Sequence, residues 1–117
     1  MSTNKNELID FSGIQDMLYG EEKFIKEFSE AAIESFAEFR ENYQKYLLIR
    51  EEIDFRKAGH KIKPVAQMLG LEQIIEEYEH AKTLIWDEKP DKDLKASADK
   101  IRDICDKVIS ELEKKIN

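Results

Sequence analysis

One cysteine, two prolines, four glycines and one tryptophan in 117 residues narrow the field at once. A lone Cys105 excludes a disulfide framework and leaves too few thiolates for a zinc site. So little glycine and proline excludes collagen-like and low-complexity chains and argues against a turn-rich sandwich. No apolar run approaches the ~18 residues that a membrane span requires. The opening MSTNKNELIDF lacks the apolar centre of a signal peptide, so the cytoplasm is the expected address. Positive charge is also in the minority. Nineteen Lys and Arg against 26 Asp and Glu give a net charge of −7, which argues against nucleic acid as a partner.

What remains is a chain 41% hydrophobic and 38% charged, the profile of one helix-rich domain with a single modest core. Apolar residues recur at helical spacing, and no stretch alternates as a strand would. A short first helix is expected around Ile14, Met17 and Leu18, with Ser12 and Gln15 as a capping box and Gly20 as its stop. A long second helix opens at Glu21 and Glu22 and carries Phe24, Phe28, Ala32, Phe36, Phe39, Tyr43 and Tyr46. It must turn over between Tyr46 and Glu52, although no glycine or proline marks the place. The third carries Phe55, Ala58, Ile62, Ala66 and Leu69 and ends at Gly70. The fourth runs from Leu71 to about Glu88 with Ile74, Ile75, Tyr78, Ala81 and Ile85 inward, and Pro90 breaks it. The last, about Asp91 to Lys115, buries Leu94, Ala98, Ile101, Cys105, Val108 and Leu112. Long helices joined by short connections predict an all-α fold, an antiparallel four-helix bundle with the short N-terminal helix over one end. The whole of 1–117 reads as one domain, with 1–9 a flexible N-terminus. Met1 and the charged C-terminus read as the ends of a complete small protein.

The stretch RKAGHKIKPVAQMLG, residues 56–70, stands apart from the acidic remainder. On a wheel of roughly 100° per residue, Phe55, Ala58, Gly59, Ile62, Val65, Ala66 and Leu69 share the inward arc. His60 lies about 150° from the centre of that arc, on the solvent face. Its surface neighbours are Arg56, Lys63, Pro64 and Gln67. Between Phe55 and Leu71 the chain has four cations (Arg56, Lys57, Lys61, Lys63) and no carboxylate, so the rest of the chain carries −11. Cations beside a histidine disfavour a further positive charge on the ring and would offset negative charge on a phosphoryl group attached to it. Pro64 has no N–H, so the carbonyl of His60 loses its i+4 donor and a slight kink is expected there. The ordinary alternative for such a stretch is a solvated face.

His60-x-x-Lys63, with Gly70 ten positions after the histidine, resembles the HxxKGxxxxxG signature of histidine-containing phosphotransfer (HPt) domains. GEEKFIKEFSEAAIESF resembles the family's second helix and IDFSGIQDMLYG its short lead-in helix, while only residues 55 to 75 carry specific matches. One departure is clear: Pro64 stands where the family usually has glycine, at the point of close approach by a partner. The resemblance implies a phosphorelay intermediate and not an enzyme with kinase activity of its own. His60 would accept a phosphoryl group from the aspartyl phosphate of a receiver domain and pass it to another. Lys63 would bind the phosphoryl oxygens, and Gly70 would close the helix. Arg56, Lys57, Pro64, Gln67 and Met68 would face the partner, a receiver domain of a response regulator or hybrid kinase. Lys82 or Gln67 would be the polar residue that contacts the histidine. No cofactor is implied beyond Mg²⁺ on the partner receiver, and the chain would act as a monomer.

Glu77-x-x-His80 has the spacing of a di-iron ligand pair, but such bundles need a second copy and two further inward glutamates. His80 falls opposite the apolar stripe, so it reads as a surface histidine and no metal is expected. Cys105 reads as buried and inert, and Trp86 as packing. No glycine-rich phosphate loop, Walker sequence or kinase signature appears, so the phosphoryl group must come from elsewhere. The competing function is a non-catalytic helical adaptor that binds a signalling partner through the basic patch around His60. A metal-binding bundle, the third reading, is one that elemental analysis would settle.

Overall fold

The computed structural model describes residues 7–116, and all of its regular structure is helical. The helices are α1 (Ser12–Met17), α2 (Glu22–Leu48), α3 (Glu52–Met68), α4 (Glu72–Trp86) and α5 (Asp91–Ile116). The four long helices close a ring of contacts, with α2 and α4 each packed on both α3 and α5. No described helix is long and apolar enough to cross a membrane.

Each long helix buries one stripe. In α3 and α5 the expected positions are all buried, from Phe55 to Leu69 and from Leu94 to Leu112. A ladder of aromatic rings, edge-to-face from Phe39 through Tyr43 to Phe55 and tilted from Phe55 to Tyr78, ties three helices together. Centroid distances are 5.4 Å from Phe39 to Tyr43, 4.9 Å from Tyr43 to Phe55, and 5.3 Å from Phe55 to Tyr78. In α2 the buried line is Ser29, Ala32, Phe36, Phe39, Tyr43 and Leu47. Phe24 is exposed and Phe28 and Tyr46 are half-buried, so the expected stripe holds through the middle of α2 and drifts off the core at both ends. In α4, Glu77 and Leu84 are buried where Ile75 and Ile85 are only partly so. Trp86, expected to pack, is 73% exposed at the helix end.

The helix ends share one device. After α1, α2, α3 and α4 a residue in the left-handed region and the residue that follows it each donate a backbone N–H to the last turn, the Schellman arrangement. Gly70 (φ +68°) fills that position after α3, as expected. Tyr19, Arg50 and Glu88 fill it elsewhere, with φ of 57°, 58° and 53°. Arg50 therefore marks the unsigned turn between α2 and α3. Its guanidinium bonds the Lys89 carbonyl and lies 3.0 Å from Asp91 Oδ1, which fastens that turn to the one between α4 and α5.

At the start of α1 the expected capping box is absent. Asp10, not Ser12, caps the turn, accepting from both the Ser12 N–H (3.0 Å) and the Ser12 hydroxyl (2.7 Å). These bonds hold the Asp10 carboxyl below its usual range. The expectation of a flexible 1–9 is corrected in part. Residues 1–6 lie outside the described residues, but the N–H groups of Leu8 and Ile9 bond the buried Glu111 carboxylate at 2.9 to 3.0 Å. The Asp10 N–H then reaches the Leu69 carbonyl at 3.0 Å, which sets α1 beside the end of α3.

Candidate functional site

His60 is exposed near the middle of α3, on the face opposite Phe55, Ala58, Gly59, Ile62 and Ala66. Two features make this part of α3 unusual. Pro64 lies inside the helix, which continues unbroken to Met68 although the His60 carbonyl has no i+4 donor. On the other side, the Tyr78 hydroxyl donates to the Arg56 carbonyl at 3.2 Å. That carbonyl is also the i−4 acceptor for the His60 N–H of a regular helix. Tyr78 comes this close because residue 59 is glycine. A Cβ there would lie only 2.0 to 2.4 Å from three carbons of the Tyr78 ring. The residue before His60 thus lets α4 lie flush against α3, and that contact supports the turn that displays the histidine.

The remaining candidates sort by what they touch. Lys63 is half-buried, and Lys57, Pro64 and Gln67 are exposed. Met68, 43% exposed, ends α3, and Gly70 follows in the left-handed region. Arg56 pairs with Glu52 at 3.7 Å and Lys61 with Glu38 at 2.6 Å. Among the described residues Lys57 and Lys63 form no such ion pair. Two of the four expected cations are thus paired with carboxylates from outside the stretch. The stretch itself has no carboxylate, but packing brings Glu38 from α2 and Glu79 from α4 against it.

Lys82, a candidate for contact with the histidine, is committed elsewhere. Its ammonium lies 2.8 Å from Glu79 Oε1 and 5.1 Å from the centroid of the Tyr78 ring. Glu79 is the residue that sequence reasoning missed at this face. The hydrogen bond from Lys82 holds its carboxyl below the ordinary value, helped by the charges of Lys82, Lys63 and Arg56. The i,i+3 spacing of Glu79 and Lys82 was a readable sign of their pairing. That the pair would lie against α3 depends on how the two helices pack.

A second polar group lies inside the ring of helices. The Ser97 hydroxyl donates to Glu77 Oε2 at 2.6 Å, and Lys100 Nζ lies 3.1 Å from Glu77 Oε1. The Tyr43 hydroxyl sits 2.7 Å from Ser97 Oγ and 3.2 Å from the Glu77 carbonyl. Serine's one proton goes to the carboxylate, so the single Tyr43 proton is shared between two acceptors, Ser97 Oγ and the Glu77 carbonyl. Glu77 is thus spoken for by a hydroxyl and an ammonium, while His80 is exposed. Cys105 is fully buried, and desolvation pushes its thiol up to about 12.

Compared with family models, with curated proteins and with solved structures, the chain shows no match.

Proposed function

We propose that this chain is a phosphorelay carrier of the histidine phosphotransfer kind, an antiparallel four-helix bundle with α1 across one end. The observation that carries the reading is the exposed His60 in mid-helix, with Lys63 one turn on and Gly70 ending the same helix. Three-residue connections at 49–51 and 69–71, and the closed ring of helix contacts, support the bundle.

In this reading a ring nitrogen of His60 attacks the phosphorus of an aspartyl phosphate on a receiver domain. The N–P bond forms as the bond from phosphorus to the acyl oxygen breaks, and the electron pair leaves with the partner's carboxylate. The proton on the other ring nitrogen stays in place, so the reverse step onto a second receiver needs no extra acid or base. Lys63 offsets charge on the phosphoryl oxygens. Arg56, Lys57, Pro64, Gln67 and Met68 form the face that meets the receiver, and Mg²⁺ belongs to that partner. The carrier works as a cytoplasmic monomer and takes no cofactor.

Incubation with a phosphorylated receiver domain and Mg²⁺ tests this. Acid-labile label on His60 is the expected result. Binding without label would favour the non-catalytic adaptor, and label confined to His80 would remove the assignment.

A further inference from the structure

Arg56, His60, Lys63 and Gln67 follow one another at one-turn spacing along a single stripe of α3. Beside Arg56 opens a cleft of about 420 Å³ between α3 and α4, walled by Arg56, Glu79, Lys82, Thr83, Trp86 and Asp87. Glu79 is held there by Lys82 at 2.8 Å, and the Lys82 ammonium is itself seated over the buried Tyr78 ring. Arg56 shares the cleft and keeps only a long contact with Glu52, 3.7 Å. The charges of Lys63 and Arg56 also act on the Glu79 carboxyl. Arg56 stands one turn before His60, so the cleft that holds the Glu79–Lys82 pair opens beside the His60 turn.

We propose that Glu79 is a resident counter-ion beside the His60 face, competing with a phosphoryl group on His60 for Arg56 and Lys82 and so limiting how long the phosphoryl group is held. This deepens the carrier reading and rests on it. A phosphoryl group brings close to two negative charges and three strong acceptors. Any cation that turns toward it leaves Glu79 less well paired, and the two anions also repel one another. Both effects disfavour the phosphorylated state relative to the same site without the Glu79 charge. A relay protein must release what it accepts, and a built-in competitor suits that need.

Glu79→Gln keeps the size of the side chain and removes its charge. The label shared at equilibrium between a receiver domain and this chain should then move toward the chain by roughly two- to fivefold, the range for an exposed charge pair. The control is Glu76→Gln, an exposed neighbour on the same helix. A second arm labels His60 chemically with phosphoramidate, in a His80→Gln background, and follows hydrolysis of the phosphohistidine. Glu79→Gln should lengthen its lifetime by a similar factor, with Glu76→Gln unchanged. Partition and lifetime equal to the parent, or equal effects from both substitutions, would overturn the role of Glu79. If the receiver leaves the parent unlabelled, the carrier reading falls. The phosphoramidate arm then still decides whether Glu79 opposes phosphate on His60.

Discussion

His60 can be removed without touching the core, because its side chain points away from every buried residue of α3. His60→Gln is therefore expected to unfold within about 0.5 kcal/mol of the parent, while taking no label from a phosphorylated receiver. Denaturant midpoints and label incorporation check the two halves separately. Lys63→Ala should slow labelling without abolishing it, because Lys63 stabilises charge while His60 makes the bond. Loss of one donor of this kind reaches on the order of 10²–10³ in rate, and an exposed site should fall at or below that range. Lys61→Ala is the comparison, since Lys61 turns to Glu38 at 2.6 Å. Equal slowing by both would leave Lys63 no special part. The exposure of His60 was legible from the helical wheel alone, as was the run of cations around it. Glu79 was not legible as part of the site, because nothing local says which face of α4 meets α3.

The meeting of α3 and α4 belongs to the next scale. In sequence, Gly59 reads only as a weak helix residue on an inward arc. In the structure it is the gap into which Tyr78 fits. Gly59→Ala would gain about 1 kcal/mol in helix propensity. Against that, the new methyl group meets a ring that is only 4% exposed and hemmed in by Phe55, and overpacking of this kind costs roughly 1–3 kcal/mol. The new Cβ would lie 2.0 to 2.4 Å from three ring carbons, which puts the cost at the upper end of that range, so a net loss of about 2 kcal/mol is expected from urea titration. A variant as stable as the parent would mean that the ring moves aside freely and does not fix α4 against α3. The element boundaries follow similar logic. Gly70 announced the end of α3, but the end of α2 falls at Arg50, which no propensity rule would choose for a left-handed residue. The turn is sustained by contacts from far along the chain, the Lys89 carbonyl and Asp91. The start of α1 is similar, since the Glu111 carboxylate that holds Leu8 and Ile9 lies about a hundred residues away.

Across the whole molecule, the apolar stripes were legible because burial repeats with the helical period, and the polar interior was not. Tyr43 was expected in the core for its ring, yet its hydroxyl joins Ser97 and Glu77 from two other helices. Such a group is stable only when all its members are brought together, so it reports on the assembled fold. Its titration gives a test. Burial raises the Tyr43 hydroxyl above its ordinary value of 10.0, and Cys105 is raised from 9.0 to about 12. Both are acids whose neutral form is favoured by folding. Their stabilisation is whole below the unfolded values and is lost as pH rises, because the unfolded chain gives up its protons first. Stability should therefore start to fall near pH 9 through Cys105 and fall more steeply above pH 10, when Tyr43 joins. Each group adds a slope of about 1.4 kcal/mol per pH unit where it is ionised only in the unfolded chain. Tyr43→Phe keeps the ring and removes the slope that Tyr43 contributes. It should be less stable than the parent at neutral pH, having lost a buried hydrogen bond, and the gap should close as pH climbs past 10. Urea titrations at a series of alkaline pH values would show this. Parallel curves for parent and variant above pH 10 would mean that the Tyr43 hydroxyl ionises as readily in the folded chain as in the unfolded one, and that the group it forms with Ser97 and Glu77 is open to water.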